Sequence, residues 1–102
     1  MTTEQKHIPV LLSAVLNALG DIQNKTIIDC TFGAGGYTRA FLSRGANVIA
    51  FDRDPNVLPD VEHIAAKYGD KFRFVPKTFS HISELDETVD AIVFDLGISS
   101  MQ

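Results

Sequence analysis

The sequence has no tryptophan, one cysteine and four prolines in 102 residues. The lone cysteine, Cys30, excludes an intramolecular disulfide framework and a multi-cysteine metal site, and it fits a reducing, cytoplasmic setting. Positive charge is scarce. Nine Lys and Arg against thirteen Asp and Glu leave a net charge of -4, so no strongly electropositive face exists to grip a phosphate backbone unaided. Long apolar runs are missing as well: Val10–Leu19 is broken by Ser13 and Asn17 and is too short to span a bilayer. The start, Met1 to Lys6, is polar, and the chain reads as soluble and untargeted.

What is present is a hydrophobic share of 45% against 22% charged, enough for one small folded domain over residues 1–102 with no internal boundary, repeat or linker. Val10, Leu11, Ala14, Val15, Ala18 and Leu19 recur at helical spacing after Pro9, and Gly20 supplies a stop. Thr26–Thr31 reads as a strand, followed by Gly33, Gly35 and Gly36 and then a helical stretch, Thr38 to Ser43, closed by Gly45. Asn47 to Phe51 is a second strand, and Asp54 before Pro55 caps a helix reaching Tyr68. Lys71–Val75 gives a third strand, Ser80 to Glu87 a helical turn and Val89 to Phe94 a fourth strand. Strands alternating with helices, with near-continuous Val, Ile and Phe runs, predict a doubly wound α/β fold of about four parallel strands covered on both faces. The sequence stops seven residues after the fourth strand's closing Asp95, so the sheet is expected to be incomplete and the chain an N-terminal portion of something longer.

In such a sheet ligands bind beyond the carboxyl ends of the strands. Asp29 lies in the first strand, Asp52 ends the second and Asp95 ends the fourth, which groups three carboxylates at one rim. The glycine loop lets the main chain turn tightly and brings helix-start N–H groups to a ligand, although a purely structural turn also fits it. Asp52, 19 residues after Gly33, stands where an acid accepts hydrogen bonds from two ribose hydroxyls; turn capping is the plainer reading of it and the preferred one for Asp54. Asp95 leaves a buried strand for the cleft and suits a reacting group, with loop bracing as the alternative. Phe79 is equally a core plug or an adenine-facing ring. His7, His63 and His81 form no metal pattern, Cys30 reads as core filling, and Ser99 and Ser100 lack a nucleophile elbow.

Five blocks in order, HIPVLL (7–12), DCTFGAGG (29–36), AFDRDP (50–55), the TFS around Phe79 and DLGISSMQ (95–102), resemble the bacterial small-subunit ribosomal RNA cytosine-N4 methyltransferase family called RsmH or MraW. The resemblance covers essentially the whole chain. It implies a Rossmann-like class I methyltransferase fold, S-adenosyl-L-methionine as cofactor, N4-methylation of a cytidine in small-subunit ribosomal RNA, and rRNA contact made through further C-terminal elements, with no metal and no membrane. It also implies that Gly35, Gly36 and Tyr37 line the methionine end of the cofactor, that Asp52 holds the ribose and Phe79 borders the adenosine, and that Asp95 and Gln102 lie near the reactive side. Two positions depart from the family pattern. Tyr37 stands where histidine is usual, and Ala14 where glutamate is usual.

Activity of the 102-residue chain by itself is not expected. Two other readings stay open: a non-catalytic adenosine-ligand module, and a nicotinamide-dinucleotide oxidoreductase, which would want glycine or alanine at Thr38.

Overall fold

The computed structural model describes residues 10–30, 32, 35–77, 88–94 and 97–100. The first helix, α1 (Val10–Leu19), ends at Gly20, whose left-handed backbone (φ 69°) lets its N–H return to the Leu16 carbonyl at 3.1 Å. Its buried stripe is Leu12, Val15 and Leu16, while Ala14 and Ala18 face solvent. The spacing in the sequence is satisfied by either set. The larger side chains win because they remove more apolar area from water.

β1 (Thr26–Asp29) leads through the glycine turn into α2 (Gly36–Ser43), and β2 (Asn47–Phe51) follows. The expected single helix from Asp54 to Tyr68 is split: a 3-10 turn (Pro55–Val57) precedes α3 (Leu58–Tyr68). Pro59 explains the split, since it has no N–H and its ring crowds the carbonyl four residues back, which belongs to Pro55. β3 (Phe72–Val75) and β4 (Ala91–Phe94) complete the predicted strands. The predicted helical turn from Ser80 to Glu87 lies outside the described residues.

The sheet order is β3-β2-β1-β4, all parallel, and a further strand, β5 (Gly97–Ser100), pairs antiparallel with β4. The sequence reading did not anticipate β5. Its register places Phe94 opposite Gly97 and Ala91 opposite Ser100.

Period-two alternation divides the sheet into two apolar faces. Ile27, Val48, Ala50, Phe72 and Val93 face one way, and the buried side chains of all three helices join that cluster. Ile28, Ile49, Phe51 and Ile92 form a second, smaller cluster on the opposite face. At the amino ends of the strands Asp90 pins β1: its carboxylate accepts the Thr26 N–H, and its own N–H donates to the Thr26 carbonyl, both at 2.8 Å. α2 and α3 are further joined by Arg39 and Asp60 at 3.3 Å. Both side chains are more than a third exposed, at 37% and 41%, so this pair contributes little.

Candidate cofactor site at the carboxyl rim of the sheet

The register puts Asp29 level with Ala50 of β2 and Val93 of β4. Asp52 therefore stands two residues beyond that row, its N–H donating to the Val75 carbonyl at 3.3 Å. The half-buried Asp52 carboxylate accepts the Asp54 N–H on Oδ1 at 2.9 Å. Among the described residues its Oδ2 takes no hydrogen bond, which leaves an acceptor at the rim. Asp54 behaves as expected of a cap, accepting the Asn56 N–H at 2.9 Å.

The turn after β1 is held from below by Phe32. Its ring is buried against Phe72 and Phe74 of β3, with centroid separations of 6.2 and 5.7 Å. The Phe32 carbonyl then accepts the Gly35 N–H at 2.6 Å. An aromatic side chain inside a glycine-alanine loop is the signal that sequence reasoning passed over.

Gly35 and Gly36 are glycine for different reasons. Gly35 is left-handed (φ 89°), and a Cβ there would lie 2.9 Å from the Ile64 Cδ1 and 2.9 Å from an Arg39 guanidinium nitrogen. The fold alone demands glycine at this position. At Gly36 a Cβ would meet nothing within 4 Å among the described residues, so their packing places no such demand. Gly35→Ala is accordingly expected to cost about 1–2 kcal/mol from the left-handed backbone alone, whereas Gly36→Ala should leave stability unchanged or raise it by up to about 1 kcal/mol. Urea unfolding of the two variants checks this, and equal destabilisation would refute the distinction.

α2 begins with Gly35 as its N-cap, no side chain caps it among the described residues, and its first turn carries no acid. The first N–H groups of a helix have no acceptor within it, and with the helix dipole they favour an anion. Tyr37 packs its ring edge-on against Phe41 at 6.1 Å and joins the apolar cluster. Asp29, at the end of β1, is fully buried and accepts the Thr38 hydroxyl at 2.5 Å. It is thus a buried brace and is not open to the rim as the sequence grouping expected. Thr38 has taken over the position where a dinucleotide site wants glycine or alanine.

Gly33, Phe79, Asp95 and Gln102 lie outside the described residues. Cys30 is half-buried against the second apolar cluster, in keeping with a filling role. Among the described residues no group of three His, Cys, Asp or Glu is arranged to hold a metal ion, and no helix is long and apolar enough to cross a membrane. Two depressions formed by described residues lie away from the rim. One of about 320 Å³ sits between α2 and α3 over Ala40, Ser43, Ile64 and Tyr68, and one of about 210 Å³ lies by Asp21, Lys25 and Asp90 at the opposite end of the strands.

A helix start without a side-chain cap among the described residues, an exposed Gly36 and the half-buried Asp52 carboxylate together suit a ligand with a carboxylate or phosphate at one end and a vicinal diol at the other. Solved structures share the fold. A Burkholderia thailandensis 1,6-didemethyltoxoflavin-N1-methyltransferase with bound S-adenosylhomocysteine matches 81% of this chain and 35% of its own, with TM-score 0.63 and 28% identity. The C-terminal domain of a Rhodobacter capsulatus precorrin-6Y C5,15-methyltransferase matches 82% of this chain and 47% of its own at TM-score 0.72 and 16% identity, a likeness of fold alone. The expected Rossmann-like methyltransferase fold is borne out. Among sequences, proteins named ribosomal RNA small subunit methyltransferase H from Bartonella bacilliformis and Mesorhizobium japonicum are 46% and 48% identical over 96% and 95% of this chain. The chain spans about 30% of the length of these relatives. The model of the MraW methylase family matches residues 4–102, and the chain belongs to that family.

Proposed function

We propose that this chain forms the S-adenosyl-L-methionine-binding part of a methyltransferase acting on the N4 amine of a cytidine in small-subunit ribosomal RNA, working in the cytoplasm. The observation that carries this reading is the family match across residues 4–102, joined by relatives bearing the rRNA methyltransferase name. The rim fits the cofactor: its carboxylate suits the uncapped start of α2 at Gly36 and Tyr37, and its ribose diol suits Asp52. When bound, the cofactor supplies an electrophilic methyl group on a sulfonium.

The remaining chemistry falls to residues of this family's chain. Cytosine's amino lone pair is delocalised into the ring, which makes the amine a poor nucleophile. Asp95, following directly on β4 in the sequence, is the proposed acceptor that orients an amine N–H and so aligns the nitrogen for in-line attack. Phe79 is proposed to border the adenosine and Gln102 to lie near the reactive side. A paired cytosine has its amine engaged in the duplex, so the target must be unpaired or splayed out. With a net charge of -4, most phosphate contact is assigned to the part of the relatives beyond the matched segment, and turnover is proposed to need that part.

A chimera tests the proposal. Residues 4–102 are grafted in place of the matching segment of the Mesorhizobium japonicum relative. It is expected to transfer methyl groups to small-subunit RNA, and Asp95→Asn in the chimera is expected to lower the rate by a factor on the order of 100 or more while leaving stability intact. A folded chimera that binds S-adenosylhomocysteine yet methylates no RNA would overturn the assignment. Thr38, bonded to Asp29 where a dinucleotide fold wants glycine, speaks against the oxidoreductase reading.

A further inference from the structure

We propose that the buried hydrogen bond from Thr38 to Asp29 is a positioning device, holding the start of α2 in the orientation that receives the amino-acid end of the ligand; this rests on the adenosylmethionine reading above. Both residues are fully buried, and the Thr38 hydroxyl meets an Asp29 carboxylate oxygen at 2.5 Å. The bond joins the last residue of β1 to the third residue of α2, across a turn that contains the left-handed Gly35.

Glycines give that turn its shape but no stiffness, since each opens backbone conformations closed to other residues. Something else must fix the direction of the helix. Phe32 anchors the turn on its apolar side, and among the described residues no side chain caps the helix from its open end. The Thr38–Asp29 contact ties the helix's own first turn to the sheet. A hydrogen bond to a buried carboxylate is stronger and more directional than one between neutral groups. Loosening it would let α2 tilt on its glycines, which moves the Gly36 and Tyr37 amides and leaves Asp52, just past the next strand, in place. The two ends of the ligand should therefore respond differently.

The test compares two ligands by calorimetry on the whole chain, below the unfolding range of each variant. S-adenosylhomocysteine carries the amino-acid group, and 5′-methylthioadenosine is the same thionucleoside without it. Thr38→Val, close in volume but without the hydroxyl, is expected to weaken S-adenosylhomocysteine about tenfold and to leave methylthioadenosine unchanged. Thr38→Ser should restore wild-type affinity, and Asp29→Asn should reproduce the selective loss. Affinities for both ligands falling together, or neither changing, would overturn the positioning role. A wild-type chain that binds neither ligand overturns the cofactor reading itself, a separate result.

Discussion

Asp52→Ala is expected to weaken S-adenosylhomocysteine binding by about a hundredfold or more. Two ribose hydroxyls donating to one carboxylate make two charge-assisted bonds, each worth about 1.5–3 kcal/mol, and about 1.4 kcal/mol corresponds to tenfold. The fold should tolerate the change. Among the described residues the side chain accepts only the Asp54 N–H, in a half-buried turn, so stability should fall by no more than about 1 kcal/mol. Asn at this position keeps an acceptor for Asp54 but loses the charge, and an intermediate affinity is expected. Calorimetry read beside urea unfolding separates the two effects. Unchanged affinity in Asp52→Ala would reduce Asp52 to a turn-bracing residue.

Phe32→Ala should cost about 3–5 kcal/mol of folding stability, the range for emptying a buried aromatic position. The ring is fully buried: it packs against Phe72 and Phe74 of β3, and its edge lies 3.4 Å from where a Cβ on Gly35 would sit. Removing it opens a cavity beneath the glycine turn and frees the segment that aims α2. For a domain whose whole stability is on the order of 5–15 kcal/mol, that is a severe loss, visible as a large drop in the urea midpoint. Phe32→Leu should recover more than half of it. A loss below about 1 kcal/mol in Phe32→Ala would show that the loop is held by other means.

The layout of the sheet was legible because apolar runs and glycine stops coincide in this chain. Asn47–Phe51 reads as a strand from its own composition, and the structure gives those bounds. α1 has the predicted limits, yet its buried face had to be decided by tertiary contact, since alanines and leucines share the same spacing. The break before Leu58 follows from Pro59 acting on a carbonyl one turn earlier, a clash that periodicity does not register.

At the site, Asp54 could be read in advance as a cap from the Pro55 beside it. Asp29 could not. Its burial depends on a hydroxyl nine residues later, and no local pattern distinguishes an acid that faces a ligand from one that braces a helix. Gly35 and Gly36 likewise look alike in sequence, and the left-handed backbone of Gly35 together with the positions of Ile64 and Arg39 separates them.

The central claim is that the carboxyl rim between β1 and β2 holds an adenosyl amino acid. The most direct test is to titrate S-adenosylhomocysteine into the ¹⁵N-labelled chain and follow every backbone amide by NMR. Saturable shifts concentrated at Gly35, Gly36, Tyr37 and Asp52 are predicted. Shifts confined to Ala40, Ser43, Ile64 and Tyr68 in the groove between α2 and α3, or no shifts at all, would contradict it.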